Sequence, residues 1–149
     1  MSTTPPPSAA PPTLTDLTTY LLSKVGKDAR GRLADRLAAE NLRLWHMAAL
    51  AALADFGPHV QRDLAARLGI HVSDMTKVLD ELAALGHLTR DRDGTDRRRV
   101  LVTVTAAGRA ALARLTSEAE EVQDALLAPL TTDERAQLHA LLLRVHAAR

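Results

Sequence analysis

The sequence predicts a mainly α fold that carries one small β-hairpin, and three observations predict it. Apolar residues recur every three or four positions through long stretches, as in Leu14, Leu17, Leu21, Val25, Ala29, Leu33 and Leu37, and again in Leu112, Leu115, Ala119, Val122 and Leu126. Two shorter helical segments, Gln61 to Leu68 and Val72 to Leu85, meet at Gly69. After Gly86 the period changes from helical to alternating: Val100, Val102 and Val104 interleave with Leu101 and Thr103.

The elements follow in order along the chain. Met1 to Pro12 is rich in Pro, Ser, Thr and Ala but has neither a basic start nor an apolar run, so residues 1–12 are expected to be a disordered, partly polyproline arm and not a signal peptide. Thr13 with Asp16 has the spacing of a capping box, which would open one long first helix within residues 13–40. Gly26 and Gly31 weaken that helix, each by about 1 kcal/mol relative to Ala where exposed. A second helix, about Leu44 to Asp55, should stop at Gly57-Pro58.

In the paired segments, Leu64, Ala65 and Leu68 share one helical face, and Gly69 can take the positive φ of a tight turn. Ala65 is small enough to let the next helix cross closely. That helix turns Met75, Val78, Leu79, Leu82 and Leu85 inward and ends at Gly86. His87 to Arg92 and Arg98 to Val104 suit strands, joined by turn chemistry at Asp93-Gly94-Thr95-Asp96. Thr105 can cap a helix to about Leu127, Pro129 breaks it, and Thr131-Thr132-Asp133-Glu134 opens a last helix carrying Leu138, Leu141, Leu142 and Val145.

A helix-turn-helix running into a hairpin tipped by Asp96-Arg97-Arg98-Arg99 is the layout of a winged DNA-binding domain. Val72, Ser73, Asp74, Thr76 and Lys77 lie at the start of the second helix, where a recognition helix meets base edges. Ser73 is expected both to cap the helix and to meet DNA, since capping and phosphate binding both use hydroxyls at helix starts. Gln61 and Arg62 open the preceding helix as phosphate-contact candidates or as ordinary surface. In the hairpin, Arg90, Arg97, Arg98 and Arg99 suit a narrow, electronegative minor groove, because a planar guanidinium can slot between the groove walls or grip a phosphate. A formal net charge of +1 gives no overall nucleic-acid footprint. The basic character is local: five arginines against three aspartates between His87 and Leu101.

These residues carry a resemblance. The run from Leu42 to Gly108 is similar to the MarR (multiple antibiotic resistance regulator) family of transcription factors in Leu64-Ala65 with Leu68-Gly69, Ser73 with Thr76, Leu82 with Gly86, Asp96-Arg97-Arg98, and Thr105 with Gly108. The resemblance implies a homodimer of winged helices, usually repressing, often released by a small ligand, and bound to a pseudo-palindromic site on double-stranded DNA. It assigns residues 41–105 to the DNA-binding domain, and residues 13–40 and 106–149 to helices that form a dimerisation domain. Periodicity alone leaves open that those terminal helices pack on their own subunit. One departure is plain: Asp74, Asp80 and Glu81 outnumber Lys77 where the family is usually richer in basic residues.

Other classes fare worse. The absence of cysteine excludes disulfides, thiolate metal sites and thiol redox switches. No phosphate-cradling glycine loop and no Ser, His and Asp arrangement suggests an enzyme. A helical protein-interaction module with a degenerate helix-turn-helix is the better rival, supported by the acidic tilt just named. No metal or cofactor is expected, because His139 and His146 are seven positions apart, too wide for two ligands of one ion, and His46 completes no close set. A flat organic effector would use Tyr20 or Trp45 for stacking and Arg43 or His46 for charge, although Trp45 reads more readily as a core anchor. No segment is apolar enough to span a membrane, so a soluble, cytoplasmic protein is expected.

Overall fold

The computed structural model describes residues 3–7 and 9–149. Met1, Ser2 and Ser8 of the expected arm lie outside the described residues. Thr3 to Pro7 has no helix or strand, but the arm ends early: α1 (Pro12–Thr15) begins on Pro12, whose fixed φ suits a first helical position. The single long first helix is therefore a correction. Thr13 lies inside α1 and caps nothing, the chain turns at Asp16 and Leu17, and α2 (Thr18–Ala38) starts without a side-chain cap.

The other helices follow the sequence closely. α3 (Leu44–Phe56) stops at Gly57, whose φ of 84° no β-branched residue would take readily. α4 (Gln61–Leu68) ends on Gly69 in the left-handed region, and α5 (Val72–Ala84) is followed by Gly86 at φ 75°. α6 (Ala106–Leu126) is capped by Thr105, whose hydroxyl accepts from the Gly108 N–H. α7 (Thr132–Ala147) has a full capping box, Thr131 and Glu134 each accepting from the other's backbone N–H.

The hairpin comprises β2 (Leu88–Arg92) and β3 (Val100–Val104), antiparallel with Arg90 opposite Val102. A two-residue strand, β1 (His59–Val60), joins the free edge of β3 to give the order β1-β3-β2. Two residues between Pro58 and a helix carry no alternation, so the sequence gives no sign of β1.

One core holds the unit together. Leu50 and Leu53 of α3, Leu64 of α4, Met75, Leu79 and Leu82 of α5, Val102 of β3, and Leu115 of α6 are all fully buried against one another, with Leu37 of α2 closing the end. Leu85 is a second correction: it is 54% exposed, because α5 ends at Ala84 and the chain is already turning.

The terminal helices stay uncovered. No residue of α7 is buried, and Leu141, Leu142, Leu143 and Val145 are exposed. Leu14, Leu17, Leu21, Leu22 and Val25, before and along the first half of α2, are exposed as well. Farther along, α2 is tied to α6 by Arg36, which bridges Glu118 and Glu121. Among the described residues no helix is long and apolar enough to cross a membrane.

Candidate nucleic-acid interface

The first turn of α5 is open. His71 occupies the N-cap position without a side-chain cap, so Ser73 sits inside the helix and the N-cap reading of it is wrong. Ser73, Asp74 and Lys77 are exposed and make no side-chain hydrogen bond among the described residues, and Val72 is 49% exposed. Thr76 is committed: its hydroxyl donates to Val72 O at 3.0 Å and accepts from Gln61 Nε2 at 2.6 Å. That bond fixes the start of α4 against the start of α5. Arg62, one position on from Gln61, is exposed.

The acidic tilt of α5 has a structural explanation. Asp80 pairs with Arg90 of β2, tying the helix to the hairpin. Arg90 is therefore occupied by a protein carboxylate, unlike the arginines at the tip. Glu81 accepts from Arg43 Nη2 at 3.2 Å and from His46 Nε2 at 2.9 Å, tying the same helix to the start of α3. His46 is fully buried, and its Nδ1 accepts the Arg43 backbone N–H at 2.9 Å, so the ring proton belongs on Nε2, facing Glu81. Burial holds its pKa below the usual imidazole value, and the Glu81 carboxylate offsets part of that. Of the three acids, Asp74 alone remains without a side-chain partner among the described residues.

The hairpin tip is shaped by its polar residues. Asp93 Oδ1 accepts from the backbone N–H and hydroxyl of Thr95, while Asp93 N–H donates to Arg99 O at 2.8 Å. Those donors hold the Asp93 carboxyl below the usual carboxylate range. Asp96 Oδ1 accepts from Arg98 N–H at 3.0 Å, so Asp96 builds the turn rather than merely neutralising its neighbours. Arg92 Nη1 donates to Arg97 O and pins the tip from below. The side chains of Arg97, Arg98 and Arg99 are left exposed, with no ion pair among the described residues.

The candidate ligand residues are placed differently. Arg43 and His46 come together, but on Glu81; Tyr20 stacks under Lys24, and no hydrogen bond among the described residues links Tyr20 or Trp45 to them. Trp45 is 42% exposed, so its reading as a core anchor is also corrected. The positioning roles of Asp80 and Glu81 carry no signal in the sequence, because their partners lie far along the chain. Among the described residues no three His, Asp or Glu side chains gather as metal ligands would.

A helix pair with an open second helix, followed by an arginine-tipped hairpin on a three-stranded sheet, defines a winged helix-turn-helix protein. A MarR family model matches residues 40–99. The fold is similar to a probable transcriptional regulator from Pseudomonas aeruginosa, 30% identical over 89% of this chain and 98% of that one, with a TM-score of 0.72. It is similar also to a mutant MarR from E. coli in complex with operator DNA (24% identity, 85% and 91% of the two chains, TM-score 0.69). A third likeness is BpsR of Bordetella bronchiseptica, whose DNA binding is regulated by 6-hydroxynicotinic acid (25% identity, 92% and 98%, TM-score 0.72). A comparison with curated proteins gave no match. The chain belongs to the MarR family, whose members are transcription regulators and not enzymes.

Proposed function

We propose that this regulator is a homodimeric repressor that binds a pseudo-palindromic operator and is released by a small organic ligand. The observation that carries the reading is the open first turn of α5 beside a hairpin whose tip arginines have no ion-pair partner among the described residues. Ser73, Asp74 and Lys77 would read base edges in the major groove, with Val72 as an apolar contact, while Arg97 and Arg98 would enter the minor groove. Gln61 and Thr76, bonded to each other, would present one polar surface to the backbone; Arg62 would add a phosphate contact. Residues 13–40 and 106–149 would pair with a second copy, and a two-fold dimer suits half-sites about one helical turn, roughly 10 base pairs, apart. The complex of E. coli MarR with operator DNA and the ligand regulation of BpsR support the reading. Such a protein would work in the cytoplasm. The rival interaction module loses most of its supporting feature, because two of the three acids, Asp80 and Glu81, are engaged in holding α5.

Arg98→Ala tests the hairpin directly. It should weaken operator binding by about 1 to 3 kcal/mol and flatten the salt dependence by about one unit where a phosphate contact is lost. Unchanged affinity and slope in a titration across salt concentrations would exclude the contact.

Asp74 carries a second test, because an acid at the DNA-facing start of a helix repels phosphates. It lies in the first turn, where the helix dipole favours it, but it makes no side-chain hydrogen bond among the described residues. In the proposed complex it accepts from a cytosine amino group. Asp74→Ala should hold or raise affinity for random DNA while discrimination falls by about 1 to 3 kcal/mol, mainly at one base pair. A variant that loses helix content and binds all sequences proportionally worse would make Asp74 structural.

A further inference from the structure

A groove of about 680 Å³ opens between α4, β1 and the tip-side end of β3, away from Tyr20, Trp45 and His46. Its size is within the range of small-molecule sites. The guanidinium of Arg67 stacks 4.2 Å from the centre of the Phe56 ring, and its Nε donates to His59 Nε2 at 2.9 Å. His59 is buried and is itself fixed, with its other ring nitrogen donating to Gly57 O at 2.7 Å. Arg67 is thus locked in plane before any ligand arrives, which lowers the ordering cost of binding. Its terminal nitrogens have no protein acceptor among the described residues.

Arg99 lines the same groove from the other side, also without an ion-pair partner among the described residues. Leu101 and Phe56 supply apolar wall. Asp63 lines the groove too, yet forms no ion pair with either arginine, so two cations face one anion there. A single negative charge balances that set; a second would be repelled by Asp63 and poorly solvated by the apolar wall.

We propose that this groove binds a small monocarboxylate with an apolar body, the carboxylate held between Arg67 and Arg99 and the body laid on Leu101 and Phe56. A bound carboxylate joins α4 to the hairpin and draws Arg99 away from DNA. That effector role rests on the repressor reading; occupancy of the groove does not.

The test is a titration of the full chain without DNA, followed by backbone amide NMR, using cyclohexanecarboxylate, its neutral carboxamide and inorganic phosphate. Saturable shifts should be confined to residues 56–67 and 99–101, and the carboxamide should bind at least about tenfold more weakly. Arg67→Gln and Arg99→Gln should each cost the carboxylate about tenfold or more, and Arg99→Gln, at an exposed position, serves where Arg67→Gln fails to fold. Asp63→Asn should tighten the carboxylate and admit phosphate. Shifts mapping to Trp45 and His46, equal binding of the carboxamide, or indifference to both arginine substitutions would overturn the site. Phosphate outcompeting the carboxylate in the wild-type chain would overturn it as well, and assign the two arginines to the DNA backbone. Carboxylate binding as described with operator affinity unchanged supports the site and removes only ligand release from the function proposed above.

Discussion

Deletion of Thr131–Arg149 is expected to dissociate the proposed dimer or to aggregate the protein. Helix α7 buries none of its residues within its own subunit, yet carries Leu141, Leu142, Leu143 and Val145 exposed. A helix of that composition left in water is a liability, and a contiguous exposed apolar patch marks an interaction surface. Each Leu or Val side chain fully buried contributes about 1.5 to 3 kcal/mol, so four per subunit exceed what a marginal association retains when they are removed. The exposed Leu14, Leu17, Leu21, Leu22 and Val25 supply a second such surface near the other end of the chain. Sedimentation of the truncated chain checks the expectation. A soluble dimer would count against it and place the contacts that hold the two subunits outside α7.

Much of this fold is legible because its punctuation is local. Gly69 and Gly86 take left-handed backbone that other residues avoid, and both end helices where the sequence places them. Thr105 and the Thr131 to Glu134 box act within three residues of themselves. The errors fall where a local signal competes with a stronger one. Pro12 starts a helix before Thr13 can cap one, and His71 takes the N-cap position that Ser73 was eligible for. β1 exists only because β3 offers it an edge.

Within the candidate site, the exposed side chains at the start of α5 and at the hairpin tip follow from helical and strand periodicity. The roles of Asp80 and Glu81 do not. Their partners lie 10, 35 and 38 positions away, so an acid that repels DNA and an acid that anchors the recognition helix look the same along the chain. The groove beside Arg67 is hidden for the same reason, since two stretches far apart in the chain, residues 56–67 and 99–101, assemble it.

Gly108→Ala is expected to be among the most damaging single substitutions, against the usual sign of such a change in a helix. Ala is ordinarily favoured over Gly by about 1 kcal/mol, and Gly26 and Gly31, with nothing within 4 Å of where a Cβ would sit, should follow that rule. At Gly108 the same methyl group overlaps the carbonyl oxygen of His87 and comes within 2.8 Å of Val104 Cγ2. The His87 carbonyl cannot easily retreat, because it accepts the Thr105 N–H at 3.1 Å. Thr105 in turn donates its hydroxyl to Gly86 O at 2.6 Å while capping Gly108. The start of α6 is therefore fastened to the turn that leaves α5, the point where the reading helix meets the terminal helices. Overpacking a site of this kind costs about 1 to 3 kcal/mol, and more where backbone must move. Gly108→Ala should lower the denaturation midpoint accordingly and weaken operator binding with it, while Gly31→Ala should raise the midpoint slightly. Equal midpoints for Gly108→Ala and the wild-type chain would mean that α6 stands farther from His87 than the structure places it.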